Sequence, residues 1–125
     1  SGGILGMGES QKDRLDMAYE LAKLNVQSIP INILNPIKGT PLEHIKPLEV
    51  LEILKTIAIY RLINPNAQIR YAGGRNALGD SFVHGYKAGV NGVLTGNFLT
   101  TTGKDISEDK RIILENGFDF EEYSL

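Results

Sequence analysis

Along the chain, segments in which apolar positions recur every three or four residues alternate with short runs in which they recur every second residue. From Lys12 to Leu24, Leu15, Ala18, Tyr19 and Ala22 fall at helical spacing. Leu48–Leu62 carries a second such stripe through Leu51, Leu54, Ile57 and Ala58. It stops before Pro65, whose ring disfavours helix at the residue ahead of it. Asn76–Ala88 reads as a third helix, weakened by Gly79 and Gly85. The last helix has Ser107 as its N-cap, Glu108 and Asp109 favourable against its N-terminal dipole, and Gly117 at its C-cap. Between the helices, Ser28–Leu34, Gln68–Ala72 and Gly92–Thr95 read as strands, and Gly-rich Ser1–Gly8 as the tail of a strand with its loop. Pro36–Pro47 and the polar Gly96–Asp105 read as loops.

The order (β)α-βα-βα-βα predicts an α/β fold with a parallel sheet and right-handed crossovers. That is about half of a TIM-type eight-stranded barrel. Periodicity alone leaves a doubly wound sheet as the alternative. Residues 1–125 would then be one incomplete domain, the later part of a (βα) barrel.

The strand faces add chemistry to this frame. In SIPINIL, Ile29, Ile31 and Ile33 share one face, while Ser28, Pro30 and Asn32 share the other. In QIRYA, Ile69 and Tyr71 oppose Gln68, Arg70 and Ala72. The apolar faces suit packing under helices. An arginine in the interior of a sheet or barrel is costly unless it meets a carboxylate, an anion or a ligand, so Arg70 is either an interior salt bridge or part of a site. Asn32 lies on the equivalent face near the C-terminal end of the preceding strand, where α/β barrels place their chemistry. Loops after two consecutive strands, Gly73-Gly74-Arg75 and Gly96-Asn97 through Leu99-Thr100-Thr101-Thr102-Gly103, can turn backbone N–H groups toward an anion, phosphate by default.

Composition narrows the classes. With 42% hydrophobic and 22% charged residues in 125, the chain is of ordinary globular type, and a net charge of -2 without a basic patch argues against nucleic acid. No apolar run suits a membrane span, and the start has no signal-peptide pattern. With no cysteine, the chain can form no disulfide and supply no thiolate to an iron–sulfur cluster. His44 and His84 stand far apart and do not suggest zinc, no nucleophile elbow occurs, and DFEEYS reads as an acidic tail.

Four segments together resemble a known family. Gly2-x-Ile4-x-Gly6-x-x-Glu9 is similar to the adenine-contacting motif of radical S-adenosylmethionine (SAM) enzymes. SGGILGMGES-x-KDR, SIPIN-x-L-x-PIKGTPL, IRYAGGR and GVLTGNFLTT follow in the order and approximate spacing of biotin synthases. The resemblance covers nearly the whole chain. It implies a cytoplasmic enzyme that inserts sulfur into dethiobiotin with SAM, a [4Fe-4S] and a [2Fe-2S] cluster. It further implies that Ile4 lies against the SAM adenine, and that Asn32 binds the dethiobiotin ureido ring beside the cofactor. Arg70 would be a ligand of the [2Fe-2S] cluster, Thr101 and Thr102 would bind the substrate carboxylate, and Ser28 would line the cluster cavity. The anion expected at the Gly/Thr loops thereby becomes a carboxylate.

One interior position that is serine in the family is Gly92 here, which puts the polarity around the cluster in doubt. The cluster cysteines belong to the first half of the family barrel, and the last would directly precede Ser1. These residues alone are therefore expected to bind no cluster and to be inactive. Two other readings remain: the same region of a thiazole-pathway or hydrogenase-maturation relative, or a non-catalytic half-barrel binding or assembly module. Open sheet edges predict self-association, as a dimer.

Overall fold

A computed structural model describes residues 2–93 and 106–121, which fall into two compact units divided after Val93. In the first unit the chain runs β1 (Gly3–Leu5), α1 (Gln11–Lys23), β2 (Ser28–Ile33), α2 (Val50–Ile63) and β3 (Gln68–Tyr71). A 3-10 stretch (Arg75–Phe82), α3 (Val83–Ala88) and β4 (Gly92–Val93) follow. The four strands form one parallel sheet in the order β1-β2-β3-β4, with Ile4 opposite Asn32, Pro30 opposite Arg70 and Arg70 opposite Gly92. Each strand lies beside the next in sequence, with no reversal of order. This is the arrangement of a barrel wall, and it bears out the α/β half-barrel rather than the doubly wound alternative.

The apolar strand faces are buried as their parity requires. Ile29, Ile31, Ile33, Ile69 and Tyr71 lie in the core with Ile53, Ile57 and Tyr60 of α2 and Ala18 and Leu21 of α1. Each large apolar side chain contributes about 1.5–3 kcal/mol through its removal from water. The helices exist where expected, but two of their buried faces are rotated from the sequence stripes. In α1 the buried residues are Arg14, Ala18 and Leu21, leaving Leu15 and Tyr19 exposed. In α2, Ile53, Thr56, Ile57 and Tyr60 are buried, whereas Leu51 is exposed. The reasons are physical: an ion-paired arginine takes an inward position of α1, and α2 is apolar almost all round, so its stripe specifies no single direction.

Helix ends follow capping chemistry. Ser10 starts α1 through a reciprocal box, its Oγ accepting from Asp13 N–H while the Asp13 carboxylate accepts from Ser10 N–H at 2.9 Å. Asn25, at φ 53°, ends it, with Asn25 N–H on the Ala22 carbonyl and Val26 N–H on that of Leu21. The expected third helix is not continuous. Gly79, at φ 53° and ψ -136°, separates the 3-10 stretch from the α-turns that follow, a backbone conformation open to glycine.

In the second unit α4 spans Ile106–Glu115, which places Ser107 inside the first turn rather than at the cap. Gly117 closes α4 as expected, at φ 83°, with Gly117 N–H on Leu114 O and Phe118 N–H on Ile113 O. Residues 94–105 lie outside the described residues, and with them the Gly96–Gly103 loop, Thr101 and Thr102.

Candidate functional site

Parity and register place Ile4, Ser28, Pro30, Asn32, Gln68, Arg70 and Gly92 on the sheet face opposite the buried isoleucines. Ser28, Pro30, Asn32 and Arg70 are half-buried there, and Ile4 is 48% exposed. Four of the sequence-predicted residues are thus brought onto one surface.

Asn32 is fixed by the loop after the next strand. Its Oδ1 accepts from Gly73 N–H at 2.9 Å, and Gly73 O in turn accepts from Ile33 N–H at 2.9 Å. Gly74 makes this docking possible: it sits at φ 78°, and a Cβ there would come within 1.9 Å of the Ile33 carbonyl oxygen. Two consequences follow. The amide is oriented, since only its oxygen can meet the Gly73 donor, so Nδ2 keeps its two N–H groups to donate elsewhere. The Gly73 N–H is consumed by a side chain and does not serve the anion cradle expected of this loop.

Arg70 makes no hydrogen bond or ion pair with any described residue, and its Nε is buried without a partner. The interior carboxylate that would make it a salt bridge is not found among the described residues. An unsatisfied buried donor of this kind costs about 1–3 kcal/mol, and a ligand can offset that cost.

The loop after β1 is held by a carboxylate. Glu9 accepts from Gly6 N–H at 2.9 Å and Met7 N–H at 2.7 Å, and pairs with Arg14 Nη1. Arg14, 6% exposed, reaches on to Glu52 of α2 at 3.3 Å, and Glu52 also accepts from Gln11 at 2.7 Å. Burial works to raise the Glu9 pKa, but the hydrogen bonds from Arg14, Gly6 and Met7 outweigh it and hold the carboxyl below its ordinary value. Ile4 therefore stands on a strand whose following loop is tied to both helices. This network went unread in the sequence, although Ser10-x-x-Asp13 and the Glu9–Arg14 spacing signal a helix start with a paired carboxylate.

The decoys stay apart. His44 and His84 are exposed on separate elements, and among the described residues no group of three or more His, Asp or Glu side chains could hold a metal. No helix among them is long and apolar enough to cross a membrane.

The fold and this face define one wall of an α/β barrel with an oriented amide and a guanidinium that pairs with none of the described residues. Comparison with known proteins gives the particular family. The model of the Biotin and Thiamin Synthesis associated domain matches residues 30–119, and the chain belongs to that family. It is 55% identical to the biotin synthase of Acetivibrio thermocellus over 118 residues, 94% of the chain and 37% of that relative. The biotin synthases of Clostridium tetani and Campylobacter hominis are each 58% identical over 94% of the chain and 36% of their own length. The resemblance to biotin synthases is borne out, and the chain spans little more than a third of these relatives.

Proposed function

We propose that these residues form the substrate-facing wall of a biotin synthase, acting on dethiobiotin within a longer catalytic unit in the cytoplasm. The observation that carries this reading is Arg70, a guanidinium on a ligand-facing strand with a buried, unpartnered Nε and no counter-charge among the described residues. Beside it stands Asn32, whose amide is oriented by Gly73 to offer N–H groups.

The residues present fit the groups that the family implies. Arg70 would hold the [2Fe-2S] cluster through its orphaned guanidinium, and Ile4 would lie against the SAM adenine. The chain has no cysteine, so the thiolate ligands of both clusters must come from outside it. When bound, SAM with a [4Fe-4S] cluster supplies a hydrogen-abstracting radical and the [2Fe-2S] cluster supplies the sulfur.

The chain's own contribution is binding and placement. Asn32 Nδ2 donates to the ureido oxygen of dethiobiotin, and the Thr101-Thr102 backbone N–H groups receive its carboxylate. Ser28 lines the cluster side, and the apolar core beneath the sheet keeps the face rigid. Holding the reacting carbon and the sulfur source at fixed separation removes the entropic cost of their encounter.

Arg70→Met in the complete enzyme carrying this segment tests the reading. Dethiobiotin conversion should fall and the visible spectrum of the [2Fe-2S] cluster should change. A wild-type spectrum and wild-type turnover in that variant would refute the assignment. Reconstitution of the 125 residues alone with iron and sulfide should give no cluster absorbance.

A further inference from the structure

The residue before Arg70 is held by a clasp from the neighbouring strand. Ile69 is fully buried, and both of its backbone groups meet one residue. Asn91 N–H donates to Ile69 O at 2.8 Å, and Asn91 Oδ1 accepts from Ile69 N–H at 2.8 Å. In a parallel ladder the C=O and N–H of one residue go to residues two apart on the neighbour. With Asn91 as the donor, the backbone acceptor for Ile69 N–H would be Gly89 O. That carbonyl is turned away: Gly89 sits at φ 136°, and its oxygen accepts from Arg61 Nε at 3.0 Å and Nη2 at 2.8 Å. The Asn91 side chain supplies the acceptor that the backbone gives up, and without it a buried N–H would be left unsatisfied.

The clasp stands immediately before β4, and the pairs that follow it are Arg70 opposite Gly92 and Tyr71 opposite Val93. A shift of β4 by one residue would set Asn91 or Val93 opposite Arg70. A side chain in that place would crowd the arginine, since a Cβ at position 92 would stand 3.0 Å from Arg70 Cβ, closer than ordinary contact. We infer that Asn91 is a positioning residue for Arg70: its side-chain oxygen fixes the register of β4 on β3 and so keeps a glycine beside the arginine. The inference rests on the reading of Arg70 as a ligand of the [2Fe-2S] cluster, whose geometry then depends on where the Arg70 stem stands.

The test reads hydrogen exchange of the Ile69 amide, and the visible and electron paramagnetic resonance spectra, in the cluster-loaded complete enzyme. Asn91→Leu keeps the bulk and removes the acceptor. Exchange at Ile69 should quicken by about 10-fold or more, and the [2Fe-2S] spectrum should change. Asn91→Asp keeps an acceptor oxygen in the same place and should restore both to those of the parent. Parental exchange at Ile69 in Asn91→Leu overturns the inference. So does exchange quickened evenly across the protein with a parental spectrum, which marks a merely structural residue. If Asn91→Leu does not fold, Asn91→Ala, which removes the acceptor without adding bulk, is read against the same outcomes. Failure of the Arg70 reading is separately visible: Arg70→Met would then leave the spectrum unchanged, while exchange at Ile69 still decides whether the clasp exists.

Discussion

Gly85→Ala should destabilise the fold, although an alanine inside a helix is ordinarily better than a glycine by about 0.5–1 kcal/mol. A Cβ at position 85 would lie 1.5 Å from the Tyr71 hydroxyl oxygen and 2.5 Å from its Cζ. Tyr71 cannot retreat easily. It is fully buried, edge-on to Phe82 and Tyr86, and its hydroxyl donates to the Phe82 carbonyl at 2.6 Å. Burial raises its pKa and the nearby Tyr86 adds to the rise, so the hydroxyl remains a protonated donor at any ordinary pH. Overpacking costs about 1–3 kcal/mol, and displacing the hydroxyl strands a buried carbonyl at about 1–3 kcal/mol more.

Net of the helix gain, Gly85→Ala should cost about 2–4 kcal/mol, and Tyr71→Phe alone about 1–2 kcal/mol. Because Tyr71→Phe removes the atom at 1.5 Å, the double variant should be less destabilised than the sum, by about 1–2 kcal/mol. Urea unfolding followed by circular dichroism and tyrosine fluorescence reads the cycle, with midpoints moving by about 1 M or more for Gly85→Ala. A neutral or stabilising Gly85→Ala, or strict additivity, would refute the reasoning. The consequence for function is direct, since Tyr71 anchors the strand residue next to Arg70.

On the proposed reading, Asn32→Ala in the complete enzyme should weaken dethiobiotin binding by about 3–10-fold through one lost neutral hydrogen bond. It should also free the Gly73 amide to exchange, measurable by calorimetry and by hydrogen exchange. Glu9 has a folded pKa below its ordinary 4.5, so its stabilising effect is present above that pH and is lost as pH falls through the folded value. Glu9→Gln should therefore be less stable at neutral pH and lose less on acidification, a difference read from unfolding midpoints against pH. Arg61 donates to the carbonyls of Gly89, Asn64, Pro65 and Ala67 at 2.8–3.2 Å. Arg61→Lys should not rescue Arg61→Met in thermal unfolding, because a single ammonium cannot span that set.

Period-2 alternation was sufficient to assign both faces of β2 and β3, because each strand is short and its buried members, isoleucines and Tyr71, are β-branched or aromatic side chains that suit a pleated, half-buried surface. Asn32 and Arg70 were legible for the same reason: a polar side chain in an otherwise apolar strand has to face the other way. The helices were harder. In α2, with Val, Leu, Ile and Ala on nearly every side, burial is decided by where β2 and α1 lie, which no local pattern encodes. In α1 the inward place of Arg14 depends on Glu9 and Glu52, and Glu52 is 38 residues away. The break at Gly79 was visible only as weakness, since a lone glycine in a helical pattern marks a cost and not a direction.

The link from the β1 loop to α2 bears on how a barrel wall keeps its ligand-facing atoms in place. Ile4 projects from a three-residue strand whose one partner among the described residues is β2, and alone such a short strand would fray. Glu9 closes the following loop by accepting two backbone N–H groups, which satisfies donors that would otherwise need water. Arg14 then carries this constraint to Glu52, so α1 and α2 cannot shift relative to each other without breaking a mostly buried ion pair. Removing the middle of that chain should be worse than removing its end: Arg14→Met leaves the Glu9 carboxylate partly buried without its cation, whereas Glu52→Gln leaves Glu9 and Arg14 paired. The order of stability expected is parent, then Glu52→Gln, then Arg14→Met. Equal loss in the two variants would mean that the loop is held by its backbone donors alone.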